Sequence, residues 1–316
     1  MIRIILKRLL ALVPTVLFVT IVVFLLRSII PGGPAAALLG TNASDPAAVA
    51  QLNHRLGLDR PLYEQYLSWL GNLFRGDLGT SFSTQVPVSE IIVKRFEPTL
   101  LIVAGSVAIS TIVGVAVGIF AAVRRTSAWG RLVFTTSGLG LSLPSFWVAA
   151  VASAWIGVTL GWLPAGGYVS PSDSLIDSFR TLIMPVLVLA LTSTAMIARQ
   201  IRAGMATALA SPYVRTARAM GISHGRVNFD LAFRNAVAPL ITLLPLVIAG
   251  LVGGSVIVES VFNIPGIGGV IVDSVSNRDY VTMQAMVLLL SLLVLLLNLV
   301  ADVALMFIDP RIRDSA

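Results

Sequence analysis

The side chains in this sequence that could do chemistry are few, and most reactive classes are excluded at once. There is no cysteine, so disulfides, thiolate metal sites and thiol nucleophiles are ruled out. His54 and His224 are the only histidines, and neither stands in an HExxH pattern. A GxxxxGK[ST] loop is absent, so the chain does not hold ATP in the P-loop manner. A serine nucleophile inside an apolar segment would need a base, and no apolar segment supplies a histidine or lysine. Asp302 lies in the last apolar run, where an acid costs about 2.5–3.5 kcal/mol at mid-bilayer and less near the interface. It reads as a group near the interface paired with a basic residue, with a proton relay as the alternative. No enzyme active site is expected. What remains is docking and binding chemistry, and its densest stretch is Gly204 to Asn235.

That stretch carries Arg215, Arg218, Arg226, Arg234 and His224 with Asp230 as its only acid, between two long apolar runs. Ser211-Pro212 reads as a helix start: a hydroxyl to cap, then proline in the first turn where its missing N–H costs nothing. Tyr213, Ala217 and Met220 recur at helical spacing, and Gly221 is placed to end the helix in a left-handed turn. Ser223 can cap a second helix carrying Val227, Leu231 and Arg234. A short helix, a glycine bend and a second helix, lying against a membrane, suit the docking of a partner. The competing reading is a basic loop that only fixes topology, but topology needs charges and not a capped helix with a glycine stop.

The elements that must position this stretch are membrane helices. At 316 residues, 56% hydrophobic, 12% charged and mean hydropathy +0.91, the chain is polytopic; soluble domains carry about 25% charged residues. Leu9–Ile30 is a first span rather than a signal peptide, being long for the apolar region of a signal. Arg27 near its outer end can snorkel to the interface. Residues 31–97 form an extracytoplasmic subdomain whose Tyr63, Tyr66, Trp69 and Phe74 fit a membrane interface, or a vestibule for substrate. The second span is Thr99–Val123, with a Gly114/Gly118 pair suited to close packing. Leu132–Leu160 is the third and contains Pro144, which frees a carbonyl that must find a partner. The fourth is Thr181–Ala198. Ala236–Val258 is the fifth, interrupted by Pro239 and Pro245, and Val281–Ile308 is the sixth. Glu259–Tyr280 is outside or re-entrant. The expected fold is therefore an all-α polytopic membrane protein with six transmembrane helices. It divides into residues 1–30 (cytoplasmic start and first helix), 31–97, and 98–316 (the core, with cytoplasmic helices near 204–235). Both termini fall inside, because Arg124, Arg125, Arg131, Arg199, Arg202, Arg215, Arg218, Arg226, Arg234, Arg311 and Arg313 fall on that side and most acids on the other. This sidedness accounts for the net charge of +7 without nucleic acid.

Tyr213-Val214-Arg215-Thr216-Ala217-Arg218-Ala219, Gly221 and Arg234-Asn235-Ala236 resemble the dipeptide/oligopeptide/nickel permeases of ABC importers. So do Leu58-Asp59-Arg60-Pro61-Leu62, Gly76-Asp77-Leu78-Gly79-Thr80-Ser81, Val258-Glu259 with Phe262 and Pro265-Gly266-Ile267-Gly268, Arg278-Asp279-Tyr280 and Asp309-Pro310-Arg311. The broader Glu-Ala-Ala coupling motif of ABC importer permeases meets Arg215-Thr216-Ala217 here, and only the alanine matches. Val281 departs from the family, where a proline often follows the Asp-Tyr. The large segment after the first span is similar to the first, B-type, of two permease subunits.

The resemblance implies a type I importer in the bacterial cytoplasmic membrane, taking up di- or oligopeptides. Its partners would be a second homologous permease, two cytoplasmic ATPases binding ATP and magnesium, an extracytoplasmic substrate-binding protein and membrane lipid. This chain would hold no cofactor. By analogy, Tyr213 to Gly221, including Met220, would couple to an ATPase. Val258, Glu259, Phe262, Pro265 and Gly266 are the candidates for path lining and outer gate, with helix packing as the plainer role for each. Import of nickel or another small solute, an ion-coupled secondary transporter and a scaffold that only recruits a partner remain as alternatives.

Overall fold

A computed structural model of the chain describes residues 2–29, 39, 45–55 and 57–308. Arg311 and the other C-terminal basic residues lie outside these, as does the side chain of Asp302. The described chain is helical. Its helices are α1 (Ile2–Leu25), α2 (Pro46–Arg55), α3 (Leu62–Phe74), α4 (Val88–Val123), α5 (Ala128–Leu139), α6 (Ser145–Thr159), α7 (Leu175–Ala210), α8 (Pro212–Ala219), α9 (His224–Val261), α10 (Ile267–Ser276) and α11 (Tyr280–Ile308). Thr80 and Pro87 form an isolated bridge, and no strand occurs among the described residues. Among the described residues, four helices are long and apolar enough to cross a membrane: α4, α7, α9 and α11 over Tyr280–Val300. Shorter apolar helices, Leu12–Leu25 and Ser145–Thr159, stand where the first and third spans are expected.

The third span differs from its expected form. Leu132–Leu160 is broken into α5 and α6 by turns over Gly140–Pro144. Pro144 has no N–H for the carbonyl four residues back, and that carbonyl, on Gly140, instead accepts a hydrogen bond from Thr192 Oγ1 at 3.0 Å. The fifth span also differs: Pro239 and Pro245 lie within uninterrupted α-helix. Its preceding turns are continuous with it, running from His224 through a π-helical segment, Val227–Phe233, into Arg234–Val261.

The chain forms two compact units, and the division falls within α4 and α11. The first comprises Pro98–Pro265 and Leu296–Ala316. Its central helix is α7, whose most apolar window is 61% buried, against 28% for α4 and 39% for α9. Helix α9 packs along α7, with α5, α6 and α8 also against it. On α4 the small residues Ser106, Ser110, Gly114 and Gly118 recur every fourth position and let α7 approach closely. Ser106 Oγ donates to Val186 O at 3.1 Å. A β-carbon added at Gly114 would stand 2.8 Å from the Ile197 side chain, and one at Gly118 would stand 2.7 Å from that of Ile201.

The second unit comprises Ile2–Glu97 and Gly266–Leu295. Gln284 Nε2 donates to the carbonyls of Val23 and Phe24, both at 3.0 Å, fixing α11 to α1. Tyr66 and Trp69 of α3 pack on Phe24, and Tyr66 Oη lies 2.8 Å from Thr20 Oγ1. Tyr63 and Phe74 of the same aromatic set are exposed. Asp279, buried at the start of α11, accepts from Ser81 Oγ at 2.5 Å, Thr282 Oγ1 at 2.8 Å and Ser83 Oγ at 3.1 Å. Burial alone would raise its carboxyl, but these hydrogen bonds together hold it below its ordinary value.

Candidate functional site

The basic stretch folds as a short helix rooted by two residues. Val214 and Ala217 of α8 are buried against Val227 of α9, with Leu209, Ile222 and Leu231 around them. The face turned inward is thus Val214/Ala217. Tyr213 and Met220, expected on the same side as Ala217, are 43% and 69% exposed. Both faces have helical spacing, and the smaller one is the one that fits the narrow space between the end of α7 and the π-helical turn. Gly204 of α7 marks how narrow this is, since a β-carbon there would lie 3.1 Å from Ala236 Cα.

Pro212 occupies the first turn, as the sequence indicates. Ser211 does not cap α8 through its side chain; its Oγ donates back to Ala208 O at 2.5 Å and closes α7 instead. Ser223 likewise precedes α9 without a side-chain bond. The other end is the glycine stop. Gly221 has φ +78°, its N–H donates to Arg218 O at 3.0 Å, and Ile222 N–H reaches back to Ala217 O at 3.1 Å. These two bonds satisfy the last carbonyls of α8 and turn the chain sharply toward α9.

Everything else from Tyr213 to Gly221 faces outward. Arg215, Thr216, Arg218, Ala219, Met220 and Gly221 are exposed. Arg215, Arg218, Arg226 and Arg234 form no ion pair with a described residue. The helix therefore presents two cations, a thioether and a tyrosine on a rigid stub, which suits an anionic cleft with an apolar floor. One contact was not legible in the sequence. Asn235, at the start of the fifth span, donates from Nδ2 to Tyr213 Oη at 3.0 Å and to Leu231 O at 2.8 Å. The signal was present only as two separate motif fragments, Tyr213-Val214-Arg215 and Arg234-Asn235-Ala236.

The other candidate set is packed differently. Val258 and Glu259 are fully buried and Phe262 is 1% exposed, all inside the first unit. Thr99 Oγ1 donates to Glu259 Oε1 at 2.7 Å. Phe262 O accepts from Gly167 N–H at 2.7 Å, and a β-carbon at Gly166 would stand 2.5 Å from the same oxygen. Pro265 is exposed, and Gly266, which begins the second unit's later segment, is buried.

With this geometry in view, residues 114–314 match the family described as binding-protein-dependent transport system inner membrane component, and residues 1–103 match its N-terminal component. A putative peptide transport system permease protein of Brucella abortus is 39% identical over 313 residues, 99% of both chains. The glutathione transport system permease proteins GsiC of Salmonella typhimurium and Escherichia coli are each 41% identical over 313 residues, again 99% of both chains. Among solved structures, the methionine ABC transporter MetNI in an inward-facing conformation superposes with a TM-score of 0.57 at 18% identity, covering 69% of this chain and 96% of that one. That last likeness is one of fold.

Proposed function

Because this chain belongs to the family of binding-protein-dependent transport system inner membrane components, we propose that it forms half of the path by which an ATP-driven importer takes up peptides across the bacterial cytoplasmic membrane. It is a multi-pass membrane protein and a permease subunit of an ABC importer. The other half of the path belongs to a second, homologous permease. Two ATPases on the cytoplasmic side bind ATP and magnesium, and this chain hydrolyses nothing itself. A binding protein delivers the solute outside. Both termini lie in the cytoplasm, on the side of Arg215 and Arg218. The peptide and glutathione permeases among its relatives support a peptide-like solute over nickel.

The observation that carries this reading is the exposed helix Tyr213–Gly221 on its Val214/Ala217 root. Its backbone is closed by its own hydrogen bonds, and it joins α7 directly to α9, the two helices most extensively packed in the first unit. A force applied to α8 is therefore delivered to both, and closing ATPases would shift them together. At the far end of α9, Val258, Glu259 and Phe262 would relay that shift toward an outer gate, a role supported by the Thr99–Glu259 and Gly167–Phe262 hydrogen bonds.

The test is co-purification of the ATPases from detergent-solubilised membranes with wild type and Gly221→Pro. Proline can neither adopt φ +78° nor donate the bond to Arg218 O. Retention of the ATPases by wild type and their loss or uncoupling in the variant is the expected result. Full substrate-stimulated ATP hydrolysis by the variant complex would sink the coupling role.

A further inference from the structure

A cavity of about 330 Å³ lies wholly within the second unit, at the end of α1. It is at the small end of the range for ligand sites. Among the described residues its wall carries Arg27, Arg55 and Arg60 against a single acid, Glu64, with Trp69 and Asn72. None of the three arginines pairs with a carboxylate among the described residues. His54, also on the wall, is engaged with Asp59 at 2.7 Å.

Arg27 is held in place rather than merely exposed. Its guanidinium carbon stands 3.8 Å from the centre of the Phe24 ring, and Nη2 donates to Gln65 Oε1 at 2.7 Å. Gln65 is fixed in turn, donating from Nε2 to Arg60 O at 2.6 Å and Leu58 O at 3.0 Å. One amide thus ties the end of α1 to the loop that carries Arg60. A planar guanidinium held this way keeps its remaining N–H donors in a fork that matches an oxyanion.

The faces of α3 indicate where the ligand comes from. Gln65, Trp69 and Asn72 fall on one side of the helix and line the cavity. Tyr63, Leu67 and Phe74 fall on the opposite side, 65%, 60% and 84% exposed. That exposed apolar side suits lipid or another subunit, so the cavity faces away from it, toward water. The volume is larger than a bare carboxylate needs. Glu64 at one edge can take an ammonium, and the Trp69 indole offers an apolar wall.

We propose that this cavity binds a small zwitterion, an amino acid or short peptide, by its free carboxylate, with Arg27, Arg55 and Arg60 on the carboxylate and Glu64 on the ammonium. The peptide class rests on the import reading above; the arrangement of charge does not.

Calorimetric titration of the full chain, purified with its permease and ATPase partners but without the delivering protein, tests this with alanyl-alanine and its C-terminal amide as probes. The dipeptide should bind, and the amide should bind about tenfold more weakly, as expected for losing one charge-assisted bond. Arg60→Gln, at an exposed position, and Arg27→Gln should each weaken the dipeptide about tenfold. Arg75→Gln, outside the cavity, should leave it unchanged, and Arg27→Lys guards against a folding defect by keeping the charge. Equal binding of dipeptide and amide, or of wild type and Arg60→Gln, overturns the proposal. So does a result in which no dipeptide binds while Arg27→Gln weakens docking of the delivering protein, since the carboxylate would then be a side chain of that protein. Substrate-stimulated ATP hydrolysis, measured in parallel with the delivering protein added, separates the two readings. If it persists with no dipeptide at the cavity, only the site fails; if it is absent while the dipeptide binds, only the import reading fails.

Discussion

At the end of α8, Gly221 takes φ +78° and Ile222 N–H bonds back to Ala217 O; at the end of α9, Asn263 takes φ +51° and Ile264 N–H bonds back to Glu259 O at 2.9 Å. The backbone solution is the same at both ends, with a left-handed residue after the last helical turn. What surrounds it is opposite. Around Gly221 the side chains of Arg218, Ala219 and Met220 face outward, whereas around Asn263 the side chains of Glu259, Phe262 and Ile264 are buried. One stop leaves a helix exposed, and the other folds its neighbours inward. The same backbone turn can therefore end an exposed helix or a packed one, and the residues flanking the stop decide which.

The sharpest way to break the comparison is to truncate a large side chain at each end. Phe262→Ala should lower stability by about 3–5 kcal/mol, because it empties a buried ring's space. Met220→Ala should change it by less than about 0.5 kcal/mol, as for an exposed site, while reducing ATPase retention. Thermal unfolding of the purified complex in detergent reads both, and equal losses at the two ends would erase the distinction.

A smaller effect is expected at the left-handed residues themselves. Gly221→Val should destabilise by about 1–2 kcal/mol, since a β-branched side chain is strained at positive φ. Asn263→Gly should stay within about 0.5 kcal/mol, because asparagine already tolerates this region. A Gly221→Val protein as stable as wild type would show that the bend is not fixed by its backbone.

A third stop of the same kind sharpens the comparison with a charge. Arg278 has φ +55°, Asp279 N–H returns to Ser274 O at 2.8 Å, and the Asp279 carboxylate then begins α11. Its folded pKa lies below the ordinary value of 3.8, so the native state favours the charged form. That contribution is fully present above the ordinary value and is lost as pH falls through the lower, folded one. Acid titration of unfolding should show stability declining below about pH 4, with Asp279→Asn flattening that decline. An unchanged acid limb in the variant would remove Asp279 as its cause. Least of all should Arg215→Ala move stability, by less than about 0.5 kcal/mol, although ATPase coupling should fall measurably.

Several of these features were legible before any coordinates. Gly221 as a helix stop and Pro212 in a first turn follow from backbone constraints that belong to one residue. Gly114 and Gly118 announced a close helix approach for the same reason, though not that Ile197 and Ile201 would fill it. Which face of α8 turns inward is not legible, because Tyr213/Ala217/Met220 and Val214/Ala217 share the helical period and only the packing beside α9 separates them. Pro144 is expected within one span, freeing a carbonyl that must find a partner. Whether its freed carbonyl kinks a helix or ends it depends on Thr192, on a different helix, being there to receive it.

By itself the sequence determined the all-α membrane fold, the sites where apolar helices occur, the glycine stop and the kinship with importer permeases. Each of these depends on hydrophobic length, on one residue's allowed φ, or on a motif contiguous in the chain. Only the tertiary structure decided that α9 runs unbroken through two prolines, that Tyr213 meets Asn235, that Glu259 is sealed in with Thr99, and that three arginines from separate segments share one cavity. Tyr213 with Asn235, Thr99 with Glu259, and Arg27 with Arg55 and Arg60 are meetings of residues far apart in the chain. They are set by which surfaces fill which spaces, and nothing local to either partner encodes them.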